Sequence, residues 1–412
     1  MSKYLKIAFR NIIKNRRRSF VTMLAIAVGF AAVSLFNGYA HNTYLGLRNS
    51  AVSGEGLGHL AIYKRGWLAN GNVDPDRYML TSKEIAKIIN IVEADDDVIL
   101  ATPKLHLSGL ITNGRISTIF LAEGVVPEAD RTIKGSYYAF RPVTGDTLST
   151  RKPFGVEIAS DLAKTLSIAP GADVVVMAGT MEGQMNALDV SALGLYDTGI
   201  PATNDKFVRM TYKYAQSLYD TDKAEQIIVL LSDWQKTGPL LQKFKKQLSA
   251  AGIDCDIKTW EERSLFYRQV KNMLDMMFLF MFLIVLVIVI MSVVNTMGMA
   301  VLERTREIGT LRALGLKRRG VGALFAAEGA MIGFLGSVLG FMLNIIIWAV
   351  IGAVEPTYVP PGSTSAVPLT VALVPQFIAG LIFFLMLLSL SAAILPARRA
   401  ARQNVVDALG HV

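Results

Sequence analysis

The sequence predicts an α+β membrane protein: four transmembrane helices, with a large α+β domain inserted between the first and the second. Three observations carry that prediction. Four predominantly apolar runs, residues 19–40, 272–301, 321–351 and 371–395, are each long enough to cross a bilayer, which takes roughly 20 residues of helix. Residues 41–271 separate the first two runs, a length sufficient for a domain with its own hydrophobic core. Cations gather on one side of every run. The composition agrees, since 52% hydrophobic with mean hydropathy +0.40 is too apolar for an ordinary soluble chain, while 18% charged is too polar for spans alone.

The charge distribution sets the topology. Lys3, Lys6, Arg10, Lys14, Arg16, Arg17 and Arg18 precede the first run. Arg304, Arg306, Arg312, Lys317, Arg318 and Arg319 lie between the second and third, and Arg398, Arg399 and Arg402 follow the fourth. The segment between the third and fourth, 352–370, has no Lys or Arg. Cytoplasmic loops carry the excess of Lys and Arg, so both termini and residues 302–320 are expected inside and residues 41–271 outside. The net charge of +9 is thereby read as a topology signal and not as a nucleic-acid footprint.

In chain order, residues 1–18 set Leu5, Ala8, Phe9, Ile12 and Ile13 on one helical face with cations elsewhere, the pattern of a helix on the inner membrane surface. Residues 19–40 exceed the usual length of a signal-peptide core and are read as a retained span. Within them Ala25, Gly29 and Ala32 form a small-residue stripe suited to close helix contact. The outer domain, one or two subdomains in extent, opens on a strand at 60–63, then a helix from Thr81 or Ser82 with Glu84 in its first turn. Asn113-Gly114 predicts a hairpin between strands 104–112 and 115–122. A helix over 156–167, a strand over 173–178, a loop-rich stretch to Pro201 and a strand over 207–212 follow. Gln226–Leu231, Lys236–Ala250 and Ile253–Trp260 read as a βαβ-like unit, feeding a charged stalk helix, 261–271, continuous with the second span. The single Cys255 excludes an intramolecular disulfide framework.

Catalytic and metal readings find little. His41, His59, His106 and His411 stand apart in sequence without ligand spacing, and neither a Gly-x-Ser-x-Gly elbow nor a GxxxxGK[ST] phosphate loop is present. Asp95-Asp96-Asp97 reads as a solvated turn at a helix end before it reads as a metal site. Glu328 is the one ionisable residue inside the third span, where a carboxylate is expensive. Pairing with Arg318 or Arg319 and a part in cation transport remain equal alternatives for it. Gly329, Gly333, Gly336 and Gly340 form two small-xxx-small pairs, a packing face.

The connector 302–320 is charged, short and confined between two spans. As a helix it carries Glu303 and Glu307 four residues apart, an apolar edge of Ile308, Leu311 and Leu314, and a stripe of Arg304, Ile308 and Arg312. A solvated loop needs no apolar edge and an interfacial helix needs no paired glutamates. A docking knob for a partner protein accounts for both.

At these residues the chain resembles the permeases related to FtsX, MacB and the lipoprotein-releasing LolC/LolE pair. The resemblance rests on NTMGMAVLERTREIGTLRALGLKRRGVGALFAAEG with the glycines that follow, and on the ending LPARRAARQNVVDALG. RNIIKNRRRSFVTMLAIAVG and GHLAIYKRG look most like the LolE-type branch. Residues 104–222 match in layout only, and Val405-Val406-Asp407 replaces the Pro and Glu usual in the tail. The resemblance implies an ABC transporter permease of a bacterial inner membrane, without enzymatic activity or cofactor of its own. ATP and Mg would be bound by a cytoplasmic ATPase dimer docking on Glu303, Arg304, Glu307, Ile308, Leu311, Arg312 and Leu314. A second permease chain, a periplasmic carrier or substrate protein and membrane lipid would be the other partners. ATP-driven movement of the periplasmic domain (mechanotransmission) would move or release lipoprotein, lipid or another hydrophobic substrate. An FtsX-like subunit that signals to a cell-wall hydrolase is the alternative, and an ion-coupled transporter would need more buried charge than Glu328.

Overall fold

The computed structural model describes residues 2–135, 142–199, 201–360 and 366–402. Val405, Val406, Asp407 and His411, with the rest of 403–412, lie outside the described residues, as does part of 352–370. The chain divides into two compact units: a helical one built from Met1–Tyr44, Val270–Thr357 and Pro368–Val412, and an α+β one built from Leu45–Gln269 with Tyr358–Val367.

The chain begins with helices α1 (Ser2–Lys14) and α2 (Arg16–Asn49). Strand β1 (Leu60–Lys64), helix α3 (Ser82–Glu93), and strands β2 (Val98–Thr112) and β3 (Ser117–Val125) follow. Next come α4 (Pro127–Lys134), β4 (Pro142–Gly145), β5 (Gly155–Ala159) and α5 (Ser160–Leu166). Then β6 (Asp173–Gly179), β7 (Met185–Tyr196), β8 (Phe207–Thr211) and α6 (Tyr212–Tyr219). The α+β domain closes with β9 (Gln226–Leu231), α7 (Thr237–Ala250) and β10 (Cys255–Thr259). Four helices complete the described chain: α8 (Leu265–Glu303), α9 (Thr305–Ala313), α10 (Arg318–Val354) and α11 (Pro375–Arg402).

In the helical unit α2, α8, α10 and α11 are each long and apolar enough to cross a membrane. Ile26, Phe30, Val289, Val293, Phe325, Ile332, Leu381 and Leu385 form their common core. The glycines of α10 work in two pairs on two faces. A Cβ placed on Gly329 or Gly333 would stand 2.5 or 2.6 Å from the Cβ of Ala393 or Ser389 on α11. One on Gly336 or Gly340 would stand 2.9 or 2.7 Å from the Cβ of Ile26 or Phe30 on α2. Only glycine lets α10 approach both neighbours so closely. Gly29 of the α2 stripe meets Val285 of α8 in the same way. Thr22 and Thr296 hydrogen-bond at 2.5 Å, and the Asn344 amide donates to Ser34 at 3.1 Å, so two buried polar contacts tie α2 to α8 and α10.

The α+β domain is two layers joined by one strand. Strands β10-β1-β9-β2 form an antiparallel sheet whose connections, β1-α3-β2 and β9-α7-β10, give the split-βαβ order of a ferredoxin-like layer. The expected βαβ unit is therefore present, but β1 sits between its two strands. α3 and α7 cover this sheet through Ile88, Val92, Leu240, Phe244 and Leu248. Thr81 caps α3 and Glu84 reaches back to it, completing the capping box. Everything from β3 to α6 is inserted between β2 and β9 and forms the second layer, with Phe120, Val156, Ile158, Leu162 and Val208 in its core. β2 belongs to both layers: Val98–Lys104 pair with β9 and Leu105–Thr112 with β3.

Four expectations need correction here. Residues 156–167 are not one helix, because Gly155–Ala159 is a buried strand held by β7 and β8, and only Ser160–Leu166 is helical. The stretch read as loop contains β7, twelve residues that pair with β6, β5 and β4. Tyr212–Tyr219 is a helix that the sequence pattern did not announce. The stalk is interrupted, since Trp260–Arg263 is a short helix and buried Ser264 leaves helical geometry (ψ 97°) before α8 begins at Leu265. The Ser264 hydroxyl then accepts from the Tyr267 amide at 3.3 Å and caps the new start.

Buried charge concentrates where β2 passes from one layer to the other. Lys104 pairs with Glu123 at 2.7 Å, Lys134 with Asp130 at 3.2 Å, and Arg209 with both Glu157 (2.7 Å) and Asp130. His106 Nδ1 lies 2.7 Å from Glu225 and its Nε2 3.4 Å from Glu123, so this histidine is not isolated in space. Burial alone would lower its imidazole, but the Glu225 and Glu123 carboxylates prevail and push it up to about 9. His59 goes the other way, lowered to about 4, chiefly by burial and then by Arg48, and its Nδ1 accepts from the Leu231 amide. The Asp95–Asp97 turn is tied to α7 by Lys243 on Asp95 and by the nearby Lys236 on Asp97, each at 2.6 Å.

Candidate functional site

α8 runs to Glu303 and stops because Arg304 leaves helical geometry (φ −111°, ψ 16°). The Thr305 hydroxyl donates to the carbonyls of Val301 and Leu302 at 3.1 Å, tying the start of α9 to the last turn of α8. The short α9 follows, and Gly315 (φ +99°) turns the chain into α10, a conformation that costs a glycine least.

The break decides which side chains are available. Val301, Arg304, Thr305, Ile308 and Gly309 are buried against the helical unit, as expected of positions repeating every three to four residues. Glu303, Glu307, Leu311 and Leu314 are exposed, Leu314 to 80%, and Arg312 is half-buried. The expected apolar edge is thus divided. Ile308, 4% exposed, anchors the connector, whereas Leu311 and Leu314 face outward, Leu314 lying past the last helical residue. Arg304, 7% exposed, also leaves the expected docking set, because its guanidinium turns inward to Glu328 at 3.2 Å.

That contact also corrects the pairing expected of Glu328. Arg318 and Arg319 begin α10 nine or ten residues earlier, roughly 14–15 Å down the helix axis at 1.5 Å per residue. Arg304 instead comes back beside Glu328 from the connector. The Asn11 side chain of α1 donates to the same carboxylate at 3.3 Å, and Arg304 donates to the Asn11 carbonyl at 3.4 Å.

Two further partners were missed. Arg18 binds Glu303 through two bonds, 2.5 and 3.1 Å, and Lys14 binds Glu307 at 3.2 Å. Two cations four residues apart thus face two carboxylates four residues apart, a complementarity that the sequence displayed. The connector carries no nucleophile–base arrangement and no phosphate loop. Its exposed surface carries a small apolar tip, Leu311 and Leu314, with Glu303 and Glu307 already held from one side by α2 and α1, and the cations Arg306, Lys317, Arg318 and Arg319.

Residues 279–405, which hold α9, α10, α11 and most of α8, match a family described as FtsX-like permease C-terminal. The chain carries an FtsX-like permease domain. Among curated relatives, the lipoprotein-releasing system transmembrane protein LolC of Neisseria meningitidis is 24% identical over 83% of this chain and 80% of its own. The macrolide export ATP-binding/permease protein MacB of Acinetobacter baylyi is 23% identical over 99% of this chain, which spans only 59% of MacB. Among solved structures, the periplasmic region of MacB from Actinobacillus actinomycetemcomitans aligns with 54% of this chain and 95% of its own, at 13% identity and a TM-score of 0.39. The matched residues contain α9 and the four glycines of α10 with the α11 face they meet, whereas α2, which packs on Gly336 and Gly340, lies outside them.

Proposed function

We propose that this chain is the membrane subunit of an ABC transporter whose ATP hydrolysis takes place on a separate cytoplasmic ATPase dimer. The observation that carries the proposal is the connector: an exposed tip of Leu311 and Leu314 with Glu303, Glu307 and Arg312 around it, inside a permease domain and between two candidate spans. The chain has no GxxxxGK[ST] phosphate loop, and MacB, whose name couples ATP-binding to permease, has a further two-fifths of its length that this chain does not align with.

The Lys and Arg distribution supports an inner-membrane protein with both termini and the connector cytoplasmic and the α+β domain periplasmic. Two permease chains pair, the ATPases dock on their connectors, and ATP-driven closure moves the periplasmic domains. Likeness to LolC favours a LolE-type role, moving or releasing lipoprotein, lipid or another hydrophobic substrate, with a carrier or substrate protein as outer partner. Co-expression with a cognate ABC ATPase should yield a stable complex with ATPase activity, and Glu307→Lys or Leu311→Lys should disrupt it. An intact complex in both variants would remove the connector from the interface. Recovery of a cell-wall hydrolase, and no lipoprotein or carrier, from the outer face would favour an FtsX-like signalling role instead.

A further inference from the structure

Three segments of the helical unit meet at one buried polar node: Asn11 from α1, Arg304 from the break between α8 and α9, and Glu328 from α10. The Arg304 and Glu328 side chains are 8% and 3% exposed, against 34% and 44% for the neighbouring Arg18–Glu303 pair. A carboxylate among apolar helices is costly unless paired, and here both the charge partner and the amide come from other segments. Arg304 is also the one residue between α8 and α9, so its backbone is the place where the connector could bend against the span. The node therefore sits at a hinge and ties that hinge to the two helices beside it.

We propose that Arg304 and Glu328, held by Asn11, are positioning residues that fix the connector's angle against α10 and α1. A push on the exposed tip is then delivered to the span helices and is not absorbed as bending at residue 304. The role in transport rests on the function proposed above, whereas the fixing of the angle does not. The node is distinct from the docking surface, since Arg304 is turned away from it.

The test uses the full chain with its single Cys255 replaced by Ser and with Lys14→Cys and Glu307→Cys introduced as reporters on α1 and α9. A short bis-maleimide should join the reporters efficiently when Arg304 and Glu328 are intact. The yield should fall roughly threefold or more in Glu328→Gln and Arg304→Met, the low end of coupling between contacting charges, and should recover in the reversal R304E/E328R. Arg304→Lys, which keeps the charge, should retain most of the yield, and Glu328→Gln, which nearly keeps the side-chain volume, carries the comparison if Arg304→Met does not fold. Unchanged yield in Glu328→Gln, or a loss in Arg304→Lys as deep as in Glu328→Gln, overturns the proposal.

A second arm uses the complex with the ATPase. Glu328→Gln should still assemble but lose permease-dependent stimulation of ATP hydrolysis, and full stimulation would overturn the transmitting role. If the intact chain binds no ATPase, the proposed function fails, and the cross-linking arm still decides whether the node fixes the connector.

Discussion

The helical unit and the α+β domain place buried charge in the same kind of location but on different scales. In the helical unit it is the Arg304–Glu328 pair at the break between α8 and α9. In the α+β domain it is a network of Lys104, Glu123, Asp130, Lys134, Glu157 and Arg209 where β2 leaves one layer for the other. Both lie where the chain changes its packing partners. Apolar packing is tolerant of small slides and rotations, whereas a paired buried charge fits in one arrangement. Charge is therefore the more specific way to fix a junction. The units also share a second device, close approach through glycines: of α10 to α2 and α11 in the bundle, and of β2 at Gly109 and β7 at Gly194 to neighbouring backbone in the domain.

The largest effect should come from the network. Arg209→Met leaves Asp130 and Glu157 buried without their shared cation, which should cost about 3–5 kcal/mol. Thermal unfolding of the purified chain in detergent would detect it, and an unchanged transition would mean that water reaches the network. The glycine seams come next. Gly333→Ala would drive a Cβ to 2.6 Å from Ser389 Cβ and 3.0 Å from the Leu385 carbonyl, so α10 and α11 must separate, at a cost of roughly 1–3 kcal/mol. Gly322→Ala on the same helix meets nothing within 4 Å and should be neutral or slightly stabilising. Equal effects at the two positions would break the distinction between seam and surface.

How far the sequence revealed these features follows the range of the forces involved. The four span helices and the capped α3 were legible because hydropathy and capping are local. β5 was not, because Val156–Ala159 has the composition of a helix start and becomes a strand only through β7 and β8, with Glu157 neutralised by an arginine 52 residues away. β7 was hidden by Gly194, read as a loop residue. Its real reason is close approach, since a Cβ there would lie 2.2 Å from the Asp146 carbonyl oxygen. At the connector the glutamates, the leucines and the shared stripe of Arg304 and Ile308 were legible, but nothing local showed that this stripe faces inward, to Glu328 and the bundle core.

The junction at β2 should also respond to pH. His106, held near 9 by Glu225 and Glu123, contributes stability that is fully present below its ordinary value near 6.5 and is lost as pH rises toward 9. The carboxylates set the acid limit: although burial opposes it, Lys104 on Glu123 and His106 on both hold them below their usual range. Hydrogen exchange of Leu105–Thr112 should therefore speed up between pH 6.5 and 9 beyond the intrinsic base-catalysed increase, and His106→Gln should abolish the excess. No excess in the intact protein would remove His106 from the junction.

The smallest effect belongs to the exposed pairs on the connector. Lys14–Glu307 is 68% and 60% exposed, so Lys14→Ala should change stability by no more than about 1 kcal/mol, and by less at high salt. Its consequence should appear in association. If the ATPase uses Glu307, α1 competes for that carboxylate, and Lys14→Ala should raise affinity for the ATPase modestly while leaving the unfolding transition in place. A drop in affinity would instead assign Lys14 to the docking surface itself, extending that surface from the connector onto α1. Either result separates a charge pair that orders the connector from one that only screens it, a distinction that the exposed glutamates share and the buried Arg304–Glu328 pair does not.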